Sequence, residues 1–373
     1  MKQKREYITL CCISLAWFLI LSGRYSISAV LPQITESMNF NYTQAGFALT
    51  MMWVFYALFQ FPSGIYSDIK GRKISIILAM LIFSFSYILI GLSFNYVVFL
   101  SALILLGIGS GSYPSAGISM VTDIFKKNRG KALGIRSSAG SMAYAIPVIA
   151  TAISGIYGWK SFFFIWGIIS FVSTYIFYKK TMESTELPDI VSIKERVKDG
   201  IGILREREIQ IIFIVNFLIA ITWMSYMSFL PSYLQETKLM SPFYSSISIA
   251  ILGLGGFLFK PIIGSFSDKY NKKLIIMLLA GLTGIGTLAL IWASSMWIIY
   301  LICPVLSLAP TIFPIISSYL MGKWEDKGRA GKIGFYRSSF ILLASPTSGA
   351  MGFLADNYGF DLPFMVVTAI LFS

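Results

Sequence analysis

The sequence predicts an all-α membrane protein of about twelve spans, built as two parallel repeats of six helices. Three observations predict it: long apolar runs, basic residues gathered at one set of helix ends, and an internal match between two halves of the chain.

The apolar runs come first. Of 373 residues, 56% are hydrophobic and 13% charged, about half the charged share of a soluble domain. Mean hydropathy is +0.74. A soluble fold has no surface for so much apolar matter, so most of the solvent is lipid. A hydrocarbon core of ~30 Å needs about 20 residues per helix, and backbone groups in lipid must be satisfied within the segment. Helices are therefore expected over 8–32, 43–66, 74–94, 97–122, 132–155, 160–178, 209–234, 243–266, 273–293, 296–321, 332–355 and 362–373. The last run is too short to cross, so the twelfth helix is expected to be incomplete. Residues 33–42 are expected to form a loop. The polar stretch 179–208 divides the chain into a first bundle, 1–180, a linker, 181–208, and a second bundle, 209–373. A surface helix is expected over Ile190–Leu204.

The second observation is charge. Net charge is +13, from 30 Lys and Arg against 17 Asp and Glu. All the basic residues fall at one set of helix ends except Lys160, Lys238 and Arg24. That asymmetry is the positive-inside pattern and makes those ends, and the N-terminus, cytoplasmic. The positive balance therefore reflects topology and contact with anionic lipid, not nucleic acid. The chain has no histidine, which excludes histidine-based catalysis, metal ligation and proton relay. Cys11, Cys12 and Cys303 lie in apolar runs without metal-ligand spacing. No cofactor is expected, and no enzyme. No cleavable signal peptide is evident.

The third observation is the repeat. Gly64, Ser67, Asp68 and the pair Arg72-Lys73 return at an offset of 200 as Gly264, Ser267, Asp268 and Lys272-Lys273. Arg129-Gly130-Lys131-Ala132-Leu133-Gly134 matches Arg329-Ala330-Gly331-Lys332-Ile333-Gly334 at the same offset. Pro147 and Pro346 extend the match, as do Tyr157-Gly158 and Tyr358-Gly359. The segment Gly64-x-x-x-Asp68-x-x-Gly71-Arg72-Lys73 resembles the loop 2–3 signature of the major facilitator superfamily. Its copy at Gly264–Lys273 resembles the degenerate second version, and the resemblance covers the whole chain. It implies a transporter working by alternating access as a single chain, with substrate held between the halves near the midplane.

The resemblance also assigns roles. Gly64 allows close helix approach. Asp68 would cap the start of the eleventh helix, where backbone N–H groups and the helix dipole favour an anion. Asp268 would do the same for the fifth, and Arg72 would pair with Asp123. With Arg129, Gly264, Arg329 and Arg337, these residues make a cytoplasmic gate that holds while the protein faces outward. Solvated loop charge is the alternative reading, preferred for Lys70, Lys73, Lys269 and Lys273.

Arg24 carries the most information about substrate. Charge inside a membrane helix is expensive and usually faces a cavity, and a guanidinium suits carboxylate and phosphate. Its place in the first helix resembles the organic-anion and organophosphate branches of the superfamily. The seventh helix, however, has Trp223 and Met224 where those branches offer a second arginine. That disfavours a phosphate ester and favours a monocarboxylate or a sugar acid. The competing reading has Arg24 snorkelling to headgroups. Trp53, Tyr56 and Gln60 share one face of the second helix; with Tyr113, Trp223 and Tyr226 they are candidate cavity residues, ordinary packing being the alternative for each. Arg136 and Arg337 open the fifth and eleventh helices as snorkels or gate partners. Gly107-x-Gly109-x-Gly111 reads as close helix packing. No Asp or Glu falls inside a span, so a carboxylate proton relay is absent from the pattern. Facilitated diffusion, exchange and H+- or Na+-coupled movement stay open. The expected function is passage of a small organic anion across the cytoplasmic membrane; an exporter of drugs or of neutral or cationic metabolites is the alternative.

Overall fold

The apolar runs become helices because each segment satisfies its own backbone hydrogen bonds, and polar residues stop them. Asn41 opens one span with a capping box, its side chain accepting from the Gln44 N–H while Gln44 accepts from the Asn41 N–H. Asn95 and Ser241 cap two more. The computed structural model describes residues 2–183, 200–323 and 329–372.

The helices, in order, are α1 (Lys2–Ala29), α2 (Leu31–Met38), α3 (Tyr42–Lys70), α4 (Arg72–Leu92), α5 (Tyr96–Ile124), α6 (Arg129–Met142), α7 (Ile146–Tyr157), α8 (Trp159–Lys180), α9 (Arg207–Glu236), α10 (Pro242–Lys269), α11 (Lys272–Trp292), α12 (Met296–Leu306), α13 (Ile312–Lys323), α14 (Arg329–Ala344), α15 (Thr347–Tyr358) and α16 (Asp361–Phe372). Among the described residues, 11 stretches are long and apolar enough to cross a membrane, and Asp361–Phe372 is a shorter apolar helix. Pairs α6/α7 and α12/α13 are single spans interrupted by one 3-10 turn each. The segment 33–42, expected as a loop, is largely helical: α2 continues the first span beyond a break at Val30, with Pro32 in its first turn where the missing N–H costs nothing. The surface helix expected over Ile190–Leu204 falls mostly outside the described residues.

The repeat is visible in the backbone. Gly158 and Gly359 occupy matching positions, with φ of 79° and 76°. Both end a helix in a conformation that side-chain-bearing residues rarely adopt.

In the first half, α3 and α4 pack on α5, and α4 packs on α8. Gly107 and Gly111 lie against the α3 backbone at Met52 and Tyr56, and Gly109 against α4 at Phe83. The halves meet where α3 lies along α14 and α15, where α10 lies along α6 and α7, and where α1 meets α9.

Polar contacts between the halves concentrate at the ends away from the basic loops. The Asp356 carboxylate accepts from the Tyr42 N–H at 3.1 Å, the Thr43 N–H at 2.7 Å and the Thr43 hydroxyl at 2.6 Å. Tyr42 also donates its hydroxyl to Glu236 at 2.9 Å. Gln235 donates to the Ala29 carbonyl at 3.0 Å, and the Thr151 and Ser246 hydroxyls are 3.0 Å apart. At the basic ends the named pairs stay within one half: Lys73 with Thr181 and Glu183, Lys323 with Glu206 and Glu208. The molecule is thus zipped at one end, and a cavity opens toward the other.

Candidate functional site

The cavity forms because seven spans bring side chains to the midline between the halves: the first, second, fifth, seventh, eighth, tenth and eleventh. Its volume is about 390 Å³, within the range of ~300–1,000 Å³ usual for ligand pockets.

Arg24 lies in its lining. Serines at positions 22, 26 and 28 bond back to their own helix and do not engage the guanidinium. Arg24 is 9% exposed, and its Nε and Nη1 have no hydrogen-bond partner. Aromatic faces surround it instead: its Cζ is 4.5 Å from the Trp53 ring centre, 5.1 Å from Tyr56 and 5.8 Å from Tyr25. Cation–π contacts return about 0.5–2 kcal/mol each, which together offset part of the several kcal/mol that desolvating an ion costs. An anion delivered to the open N–H groups would offset the rest.

An aromatic roof closes the cavity on the zipped side. Tyr25 and Tyr144 stack at 4.3 Å and share a hydroxyl–hydroxyl bond of 3.0 Å. Trp223 meets Tyr144 edge-on at 6.0 Å, joining the second half to the first. Toward the basic ends the lining runs to Leu320 and Ile333. Asn216, held by its amide donating to the Tyr336 hydroxyl at 2.7 Å, adds a buried carbonyl without a partner.

Two further cations line this space, Lys260 and Arg337, and no described lining residue is Asp or Glu. Lys260, placed by sequence with the basic ends of the spans, is nine residues inside α10, about 13 Å along the helix. The repeat contained the signal: Lys260 stands at the +200 position of Gln60, itself a candidate, and both precede a proline by one or two residues.

Of the sequence candidates, Arg24, Trp53, Tyr56, Trp223 and Arg337 come together here. Three do not line the cavity. Gln60 is buried beside α5, its backbone carbonyl accepting from the Ser115 hydroxyl at 3.2 Å. Tyr113 donates to the Ile13 carbonyl and is covered by Trp17, stacked at 5.8 Å, and by Arg136. That cover is why the fourth span, expected in the lining, contributes nothing to it. Tyr226 bonds Thr287 inside the second half and stacks on Phe364. Arg136 is not a snorkel: it is 7% exposed, with its Cζ 4.6 Å from the Trp17 ring.

Of the gate candidates, Arg72 is buried between two carboxylates. It pairs with Asp68 one turn earlier and with Asp123 at 3.4 Å, and donates to the Ser67 hydroxyl at 3.1 Å. Gly64 packs near Ser115, Gly264 faces open space, and Arg129 donates to the Thr122 carbonyl at 3.2 Å. The side chains of Asp268 and Arg329 lie outside the described residues. Arg72→Ala removes the buried cation that bridges Asp68 and Asp123; breaking a fully buried pair costs about 3–5 kcal/mol, and these partly exposed carboxylates set a smaller loss. The expected result is a markedly lower melting temperature, partly restored by adding Asp68→Asn and Asp123→Asn. A melting curve unchanged by Arg72→Ala would refute the pairing.

A sequence profile described as the Major Facilitator Superfamily matches residues 13–306 and 212–373. The chain belongs to this superfamily. It is a multi-pass membrane transporter, not an enzyme, with a small-molecule substrate. It is similar to the multidrug resistance protein MdtG of Salmonella paratyphi C (strain RKS4594), 24% identical over 336 residues, covering 88% of this chain and 82% of that protein. It is also similar to the hexuronate transporter of Bacillus subtilis (strain 168), 25% identical over 272 residues, covering 69% and 64%. Among solved structures, a bacterial homolog of the human lysosomal transporter Spinster, inward-facing and unoccupied, superposes with a TM-score of 0.83. Identity there is 14%, over 98% of this chain and 95% of that one. In this major facilitator chain the cavity lies between the two halves, and its walls carry cations from both.

Proposed function

We propose that this transporter moves a small organic anion, of the monocarboxylate or sugar-acid class, across the cytoplasmic membrane by alternating access. One observation carries the reading: a cavity with three cations and no described carboxylate, in which the buried Arg24 presents unpartnered N–H groups. The hexuronate relative, whose name denotes a sugar-acid substrate, supports it.

The positive-inside pattern puts the basic ends and the N-terminus in the cytoplasm. The zipped end then faces outward and the cavity faces the cell, as in the inward-facing Spinster homolog. The two bundles, 1–180 and 209–373, rock about the site within a single chain. When the outer contacts of Asp356 and Tyr42 part, the cavity is exposed to the outside, and the Asp68 and Asp268 motifs close the cytoplasmic side. With no carboxylate described in the cavity, coupling to H+ or Na+, where present, runs through the anion's own charge and Arg24.

A second reading, export of drugs or of neutral or cationic metabolites, is favoured by the similarity to MdtG. The cationic lining opposes the cationic substrates of that reading, since lipophilic cations bind where acid or bare aromatic surface awaits them. A thermal-shift screen of the detergent-purified protein separates the two, using carboxylates, sugar acids, phosphate esters, neutral sugars and lipophilic cations. A ligand at 100 times its Kd stabilises by about 2.7 kcal/mol. Stabilisation by carboxylates and sugar acids is expected; stabilisation by cations or neutral compounds alone would move the exporter reading ahead.

A further inference from the structure

The second half supplies a cation at a place that the repeat does not duplicate. Arg24 corresponds at the +200 offset to Met224, and Lys260 corresponds to Gln60. Each half therefore brings a different basic group to one cavity, from non-equivalent helices. Lys260 is half-buried, and no hydrogen bond or ion pair engages its ammonium among the described residues. It lies nine residues from the basic end of α10, and Arg337 lies eight residues inside α14. At 1.5 Å per residue both sit about 12–13 Å from their helix ends. Arg24 is stacked on Trp53, seventeen residues from the basic end of α3 and so about 25 Å deep. The cations thus form two layers, with Arg24 under the aromatic roof and Lys260 and Arg337 nearer the mouth.

Arg337 is exposed and meets water, so a single anionic group on Arg24 would leave Lys260 as the uncompensated half-buried charge. Like charges inside a low-dielectric cavity repel, and a desolvated ammonium without a counter-charge is costly. At about 390 Å³ the cavity holds one small molecule, and a ligand long enough to bridge the roughly 12 Å between the layers meets both.

We propose that the transported anion is a dicarboxylate, a linear diacid or sugar diacid, with one carboxylate on Arg24 and the other on Lys260. This rests on the organic-anion reading of this cavity and replaces its monocarboxylate class with a diacid. The guanidinium fork takes the inner carboxylate in two parallel bonds, and the ammonium takes the outer one as a point charge. Because the two cations belong to different halves, a diacid ties the halves together across the cavity. A monoacid engages one half only. Length becomes a selectivity filter: a diacid too short to reach both layers binds like a monoacid.

The test compares matched mono- and dicarboxylates of increasing chain length on the purified full chain in detergent, by calorimetry or thermal shift. Expected are dicarboxylate Kd values at least about tenfold below those of the matching monoacids, with an optimum length. Lys260→Gln is expected to erase the difference between the series, and Lys260→Arg to retain it. Lys260→Met, suited to a half-buried site, is the second variant should the glutamine protein fold poorly. Arg24→Lys is expected to weaken both series. Equal wild-type affinities for mono- and dicarboxylates, or a preference that survives Lys260→Gln and Lys260→Met, would overturn the dicarboxylate assignment and leave the anion reading standing. Failure of every carboxylate to bind wild-type protein would overturn the anion reading itself.

Discussion

Arg24→Ala is expected to abolish saturable anion uptake and binding, with affinity falling at least about 30-fold. Removing one partner of a desolvated charge pair costs 2–5 kcal/mol. The same substitution is expected to raise the melting temperature of the ligand-free protein. The reason is the guanidinium's surroundings: its Nε and Nη1 lack partners while it is 9% exposed, so the empty site pays for an ion it does not satisfy. A binding site often holds such a deficit in reserve for its ligand. Arg24→Lys keeps the charge but loses the planar fork, so partial binding is expected. Purified protein measured by thermal shift, and liposomes measured by uptake, give the two readouts. A structural Arg24 would show the opposite pair, a lower melting temperature with anion binding retained.

Gly352→Leu is expected to eliminate transport by holding the outer end apart. A Cβ at Gly352 would run into the Tyr42 backbone carbonyl, and one at Gly46 into that of Ser348. These glycines let α3 and α15 approach to backbone contact, beside the Asp356 bonds to Tyr42 and Thr43. Backbone cannot yield as a side chain does, and overpacking such a seam costs about 1–3 kcal/mol. The penalty applies only to the state in which the outer end is closed, so the population shifts toward the outward-open state. Ser28→Cys, in a background without Cys11, Cys12 and Cys303, provides the readout, since Ser28 is 2% exposed behind the outer contacts. Slow thiol labelling from outside is expected in the parent and fast labelling with Gly352→Leu. Slow labelling and normal uptake in the variant would show that the outer seam is not a gate.

The two predictions draw on different kinds of legibility. Arg24 was readable as a candidate because charge within an apolar run stands out against its background. The outer seam was not readable. Gly46 and Gly352 are ordinary glycines in a chain that has 31 of them, and only the crossing of α3 and α15 shows what each one touches. Asp356 looked like an exterior loop acid, yet it bonds two backbone N–H groups more than 300 residues away in sequence. Lys260 was misplaced for a related reason. Hydropathy shows that a basic residue lies toward one end of a span, but not how far the helix continues past it. Tyr113, Gln60 and Tyr226 failed as cavity residues because helical periodicity assigns a face and does not say which neighbour covers that face. For Tyr113 the neighbours are Trp17 and Arg136, from two other helices.

Sequence alone determined that this chain is a helical membrane protein with a basic side, a repeated architecture and one charged residue deep in the first span. Those properties follow from local sums: apolar length against bilayer thickness, loop charge against membrane topology, and motif against motif. Tertiary structure alone decided which end is closed, that Nε and Nη1 of Arg24 have no hydrogen-bond partner, and that Lys260 and Arg337 share its cavity. Those properties depend on the rotation and depth of helices far apart in the chain. The physical reason is that lipid rewards every apolar face alike, so composition cannot say which face turns to another helix, to lipid or to the substrate.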